Sequence, residues 1–283
     1  MLSIGLALAA SVAWGSADFL GGRASRATSA LGVAAFSKLF GLLGLLVLCL
    51  VLAQLPGREE ALWAVGAGVS GAAGIALLYR ALALGPMSLV APLTACSGAV
   101  PVIVALIGGE VPGPLTGLGL VIAFVGGVIV SRPGESDTAV PGMAREGLLT
   151  ALAAAVGIGV SMTLLQQAAN APGDATIGLT MVMAVATVVT LMSVLLVRGG
   201  IRPPPAALLP AVIACGFLDV SANALFAQAT ADGEAAVVAV LASLYPVGTV
   251  LMARVWLGER LTAGQGAGVV AAMAGVAAIA AGS

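Results

Sequence analysis

The chain has 283 residues, 60% of them hydrophobic and only 8% charged, with no histidine and a formal net charge of −1. Soluble domains carry about 25% charged residues, so a water-soluble globule is excluded, and with no basic patch nucleic acid is not expected as a partner. Lacking histidine, an HExxH motif and any cysteine cluster, the chain offers no residue set for zinc or Ser-His chemistry, so neither an enzyme nor a metal or cofactor site is expected.

A membrane-crossing helix needs about 20 mostly apolar residues, and lipid offers backbone polar groups no partner outside a helix or a closed barrel. The apolar runs here are continuous rather than alternating, which selects helices. Cutting at charged and Pro/Gly-rich breaks predicts ten spans, at roughly 2–22, 30–53, 61–84, 87–108, 115–131, 146–168, 175–197, 206–229, 234–256 and 264–281. The first run, LSIGLALAASVAW, reads as a span and not a signal peptide, because nothing basic precedes it and GSADFLGG is a poor processing site. Between spans 5 and 6 lies the only substantial hydrophilic segment, SRPGESDTAVPGMARE, which reads as a linker at the midpoint. Cys49, Cys96 and Cys215 all sit in apolar runs and read as buried small hydrophobes, without a disulfide framework.

The two sides of the linker resemble one another. Gly109, Glu110, Gly117, Gly119 and Gly126 recur about 149 residues on as Gly258, Glu259, Gly266, Gly268 and Gly275. Ala76, Leu77, Ala81, Gly85, Val90 and Leu93 recur about 148 residues on as Ala224, Leu225, Ala229, Gly233, Val238 and Leu241. The expected fold is thus an all-α membrane protein of ten transmembrane helices: a first five-helix repeat at 1–131, a linker at 132–145 and a second repeat at 146–283. Five is odd, so the second copy must cross the membrane in the opposite sense, an architecture that places a substrate site near the midplane between the halves.

Charged side chains inside spans cost about 2.5–3.5 kcal/mol each on insertion scales and by default suggest function. Asp18, Lys38, Arg80 and Asp219 are the candidates. Asp18 near the end of span 1 and Lys38 near the start of span 2 approach the same surface, so they can pair; the readings are a buried ion pair that fixes helix packing, or a gate or substrate-charge site facing the cavity. Arg80 lies at a similar depth in span 3. Asp219, in CGFLDVSANALFAQ, is about 20 Å along span 8, with Asn223 and Phe226 on the same helix face. That stripe must point at protein or water. Asp219 is open to three roles: proton uptake and release, substrate binding without coupling, or a structural polar contact.

WGSADFLGG in span 1, YRALALGPMSLVAPLTA across spans 3 and 4, LASLYPVGTVLMARVWLGERLT from span 9 into the last break, and the Gly-spaced final span together resemble the EamA family of the drug/metabolite transporter superfamily. The resemblance covers essentially the whole chain and implies bacterial inner-membrane carriers, many of which export amino acids, other metabolites or drugs by alternating access. GGEVPGPLTG departs from the LGERLT form seen at Gly258–Thr262. The family is drawn with cytoplasmic termini, whereas the positive-inside count over Arg and Lys near the breaks puts both termini outside; the two criteria give opposite orientations.

The resemblance further implies a cavity lined by spans 1, 3, 4, 6, 8 and 9, with Trp14, Tyr79, Thr94, Ser97, Gln166, Gln167, Asn223, Ser243 and Tyr245 as candidate lining residues. Gly15, Pro101 and Pro246 are candidate bends, since proline removes one helical hydrogen bond. Gly66, Gly68, Gly71 and Gly74, and the Gly264/Gly268 pair, are expected to let helices approach closely. Glu110 and Glu259 sit at break positions and are expected either to cap the helices that follow them or to face the interface. The functional expectation is a secondary active transporter in the bacterial inner membrane, working as a monomer, with the bilayer, a small-molecule substrate and coupling protons as partners and no cofactor. An uncoupled channel or facilitator is the alternative, and a membrane scaffold a third.

Overall fold

The structure, a computed structural model, describes residues 2–52, 56–85, 87–109, 113–130, 143–170, 176–257 and 262–282. These residues form twelve α-helices: α1 (Leu2–Ala27), α2 (Ala30–Leu52), α3 (Arg58–Leu84), α4 (Met87–Thr94), α5 (Ala99–Ile107), α6 (Pro114–Val130), α7 (Met143–Ala169), α8 (Thr176–Val197), α9 (Leu209–Ala231), α10 (Ala235–Ala242), α11 (Tyr245–Leu257) and α12 (Ala263–Gly282). Among them six are long and apolar enough to cross a bilayer: α1, α2, α3, α7, α8 and the segment from Ala206 that includes α9. Glu110, Glu259 and Arg132 lie outside the described residues, as does most of the linker.

Chain breaks follow from local chemistry. α8 stops where Gly199 and Gly200 follow it; Gly200, at φ 110°, turns its N–H back onto the Leu195 carbonyl at 3.0 Å, a left-handed cap that a residue with a side chain resists. Two of the predicted spans are discontinuous. Span 4 is α4 and α5 joined by a 3-10 turn over Ala95–Gly98, and span 9 is α10 and α11 joined through Ser243 and Leu244. In each case the break lies within the turn before a proline, Pro101 or Pro246, whose missing N–H leaves the carbonyl four residues back, of Ser97 or Ala242, without its helical partner. The expected bends at these prolines are therefore present. Gly15 is not a bend: α1 runs unbroken through it, and the glycine instead admits α11, with Thr249 Oγ1 donating to the Gly15 carbonyl at 3.0 Å.

The main neighbours are α3 with α7, α6 with α12, α1 with α9, α3 with α8, α2 with α9 and α2 with α8, while α1 also packs on α10 and α11, and α7 on α4 and α5. Glycine makes the closest crossings possible. A methyl at Gly74 would meet the Ile158 nitrogen at 2.8 Å, and one at Gly71 the Ser161 hydroxyl at 2.8 Å, so α3 and α7 touch nearly backbone to backbone. Among the described residues, a methyl at Gly264 would have only Thr262 Oγ1 near it, at 3.9 Å.

Contacts between helix ends order the chain across the slab. Arg26, near the end of α1, donates to the carbonyls of Leu82 and Gly85 at the end of α3. Arg80, near the end of α3, pairs with Glu146 at the start of α7 at 2.6 Å. At the opposite face, Gln166 near the end of α7 donates to the Ala235 carbonyl at the start of α10 at 2.9 Å, and Gly233 after α9 lies against Ser3 at the start of α1. α1 and α7 thus run in opposite senses.

Candidate functional site

A cavity of about 60 Å³, partly open to the outside, lies among α1, α2, α3, α7, α8, α9 and α11. Each helix contributes one face. Trp14 and Asp18 stand one turn apart on α1; Gly71, Ile75 and Leu78 follow on α3; Ile158, Ser161, Met162 and Leu165 on α7; Met183 and Thr187 on α8; Asp219, Asn223 and Phe226 on α9. Lys38 enters from α2 and Tyr245 from the start of α11.

The polar part is a single cluster. Lys38 Nζ donates to Asp219 Oδ2 at 2.5 Å, and Asn223 Nδ2 donates to the same oxygen at 3.1 Å. All of these side chains are buried, and so is Asp18, whose carboxylate lies within electrostatic reach of both Lys38 and Asp219. The ion pair is therefore Lys38 with Asp219, and the expected Asp18–Lys38 pair is not formed. Helix boundaries explain the exchange. α1 continues to Ala27, about five residues past the predicted end of span 1, so Asp18 is about 14 Å from that end; Lys38 is about 12 Å from the start of α2 and Asp219 about 15 Å from the start of α9. All three ends are on the same face, so the three side chains share one level within the helix bundle.

The choice of partner is made at a helix crossing. Gly41 of α2 and Gly216 of α9 face each other, and a methyl on Gly41 would meet the Gly216 carbonyl at 2.6 Å. Lys38 precedes Gly41 by one turn and Asp219 follows Gly216 by one turn, so this contact delivers the lysine to α9 rather than to α1. Apolar surface covers the other side of the cavity. Trp14 packs against Phe226 at 5.5 Å between ring centres and edge-on to Tyr245 at 6.2 Å, in the geometry aromatic pairs prefer.

Several predicted lining residues instead hold the walls together. Tyr79 is buried and its hydroxyl meets Cys215 Sγ at 2.9 Å, behind the cavity. Ser97 is buried with its hydroxyl toward Met162 Sδ, Gln166 bonds the Ala235 carbonyl, and Ser243 Oγ bonds the Val240 carbonyl at 2.8 Å. The Thr94 carbonyl accepts the Tyr245 hydroxyl at 3.1 Å, tying one broken span to the other, and Gly98 abuts Ser243. Gln167 is exposed. Cys49 and Cys215 are buried and not joined in a disulfide, as expected. Replacing Tyr245 with Phe removes the hydroxyl bond between the broken spans; a stability loss of about 0.5–1.5 kcal/mol is expected, readable as a small fall in the detergent unfolding midpoint with the ring retained.

Arg80 does not reach the cavity. Its side chain is 55% exposed and its partner Glu146 is 54% exposed. Surface pairs of this kind contribute about 0–1 kcal/mol. Arg80→Ala is accordingly expected to leave transport within about twofold of wild type and stability within about 1 kcal/mol; a complete loss of flux would return Arg80 to the mechanism.

Residues missed from the sequence are chiefly those on α7 and α8. Their signal is the i, i+4, i+7 spacing of Ile158, Met162 and Leu165, but an apolar face on an apolar helix has no contrast to mark it. Ser161 and Thr187 are polar, yet their hydroxyls are engaged by the Ala67 and Gly68 carbonyls of α3 at 2.7 and 3.1 Å.

A solved crystal structure described only as "Crystal structure of protein" superposes with a TM-score of 0.75 at 17% sequence identity, covering 98% of this chain and 95% of that one, a likeness of fold alone. Comparison with curated proteins gives no match. A sequence model described as "EamA-like transporter family" matches residues 1–132 and 145–281. With apolar helices of membrane-crossing length and a family match over nearly its whole length, the chain is a multi-pass membrane protein and belongs to the EamA-like transporter family of the drug/metabolite transporter superfamily.

Proposed function

We propose that the protein is a secondary active carrier in the bacterial inner membrane that exports small metabolites, such as amino acids or amphipathic drugs, by alternating access between two inverted five-helix repeats. One observation carries the reading: a buried polar cluster of Asp18, Lys38, Asp219 and Asn223, level with the membrane interior and roofed by Trp14, Phe226 and Tyr245. Charge at that depth is expensive for a protein that only needs to pack.

The repeat reading is supported by the pairing of helices. Exchanging each predicted span for its counterpart turns α1 with α9 into α7 with α3, turns α2 with α9 into α8 with α3, and maps α6 with α12 and α2 with α8 onto themselves. The opposed senses of α1 and α7 agree with it. Two broken spans meeting at Gly98 and Ser243 supply shortened, separately movable helices beside the cavity, as carriers use.

Reconstituted in proteoliposomes, the full chain is expected to show saturable counterflow of a preloaded amino acid or cationic drug. An imposed pH gradient is expected to drive net flux if a cavity carboxylate exchanges a proton. Unsaturable conductance would make it a channel, and binding without flux a scaffold.

A further inference from the structure

The cavity holds two carboxylates and one ammonium. Lys38 and Asn223 both donate to Asp219 Oδ2, so Asp219 is matched in charge and in hydrogen bonding. Asp18 is not: its residue is 5% exposed, it lines the cavity, and it has no hydrogen bond or ion pair with any described residue. A carboxylate in this position sees Asp219 as a like charge and Lys38 as a cation already engaged elsewhere. Asp18 therefore has no cation bonded to it, and a buried carboxylate is stable as a charge only when paired.

The surroundings define what would pair with it. Trp14 stands one helical turn from Asp18 on the same face of α1, and Phe226 and Tyr245 extend the ring surface beside it. Aromatic faces attract cations through their quadrupole and pack the apolar body of a ligand. Met162, Leu165 and Met183 complete an adaptable apolar wall. An anionic ligand would meet two carboxylates and a lysine that is occupied.

We infer that Asp18 receives the positively charged nitrogen of the ligand, and that this cavity takes small organic cations, amines with an aromatic or aliphatic body. The inference rests on reading the cavity as the transport site. Asp219 holds Lys38 on α9 and leaves Asp18 as the carboxyl open to the cavity among the described residues.

The test uses three probes with one apolar body and different heads: 2-phenylethylamine, 2-phenylethanol and 3-phenylpropanoate. Binding to the detergent-solubilised full chain is measured by titration calorimetry, and exchange by counterflow in proteoliposomes. The ammonium is expected to bind and exchange, the alcohol to bind about ten- to hundredfold more weakly, as the loss of a charge-assisted bond implies, and the carboxylate not to bind. Asp18→Asn is expected to lower ammonium affinity to that of the alcohol while leaving alcohol affinity unchanged; Asp18→Glu is expected to keep the cation preference. The wild-type series decides the matter even if a variant fails to fold. Equal binding of all three probes, binding of none, or a cation preference that survives in Asp18→Asn overturns the inference, the last because Asp18 would then carry no more than a proton. Ammonium binding without counterflow leaves the Asp18 site standing and removes the carrier reading. Equally fast counterflow of alcohol and ammonium does the reverse.

Discussion

Asp219→Asn is expected to abolish transport and to lower the unfolding midpoint of the solubilised protein more than any other single change in the cavity. Removing the carboxylate leaves Lys38, which is 8% exposed, without its bonded partner in a low-dielectric interior, with Asp18 the nearby carboxyl but not hydrogen-bonded to it. Breaking a buried pair from one side costs about 3–5 kcal/mol, because the remaining charge has lost its partner but stays desolvated. The amide also loses the charge-assisted character of the bond from Asn223. Replacing both members with apolar residues, Lys38→Met with Asp219→Leu, is expected to recover most of the stability and none of the transport. Calorimetry or a thermal-shift assay on the single and double variants, together with counterflow, checks both halves. Normal transport by Asp219→Asn would show that the polar cluster is incidental to turnover.

Gly216→Ala is expected to produce the second large effect, on folded yield. A methyl there points straight at the Ser37 carbonyl and lies 2.9 Å from the Gly41 nitrogen. Both are helix backbone, so no rotamer change relieves the overlap, and α2 and α9 must separate. Overpacking typically costs about 1–3 kcal/mol; here the displacement also moves Lys38 away from Asp219, which adds to that penalty. The control is Gly117→Ala on α6, where a methyl would have nothing within 4 Å and helix propensity favours alanine by about 1 kcal/mol. Folded yield after solubilisation, by size-exclusion chromatography, should fall sharply for Gly216→Ala and hold for Gly117→Ala. Equal yields would mean that the crossing of α2 and α9 adapts more freely than its glycines indicate.

What was legible in the sequence follows from physics that acts locally. Continuous apolar runs and their polar breaks placed the helices within a few residues, because lipid leaves the backbone no alternative. Pro101 and Pro246 located the interrupted spans, since a missing N–H is a property of one residue. Asp219, Asn223 and Phe226 were readable as one stripe because a polar face on an apolar helix stands out.

Relations between helices were less readable. The partner of Lys38 depends on how closely α2 approaches α9, which two glycines far apart in sequence decide. Asp18 looked shallow because GGRASRA reads as the end of a span, whereas α1 continues through it with Gly21, Gly22, Ala24 and Ser25 buried against neighbours. Arg80 looked internal by the same kind of reckoning, yet its place on α3 turns it outward toward Glu146. Charge inside a span says that a helix face is protected, not which neighbour protects it.

The pairing of α6 with α12, α3 with α7 and α1 with α9 also bears on how the molecule is made. Each helix that leaves the ribosome early has its most extensive contacts with one that leaves late, so the initial half enters the bilayer without the surfaces it needs. Compaction must await completion of synthesis, as expected for long-range topologies, and a chain halted near the linker would be left to quality-control proteases. Two separately encoded fragments supplied to the same cell would, by contrast, have every surface required to find one another.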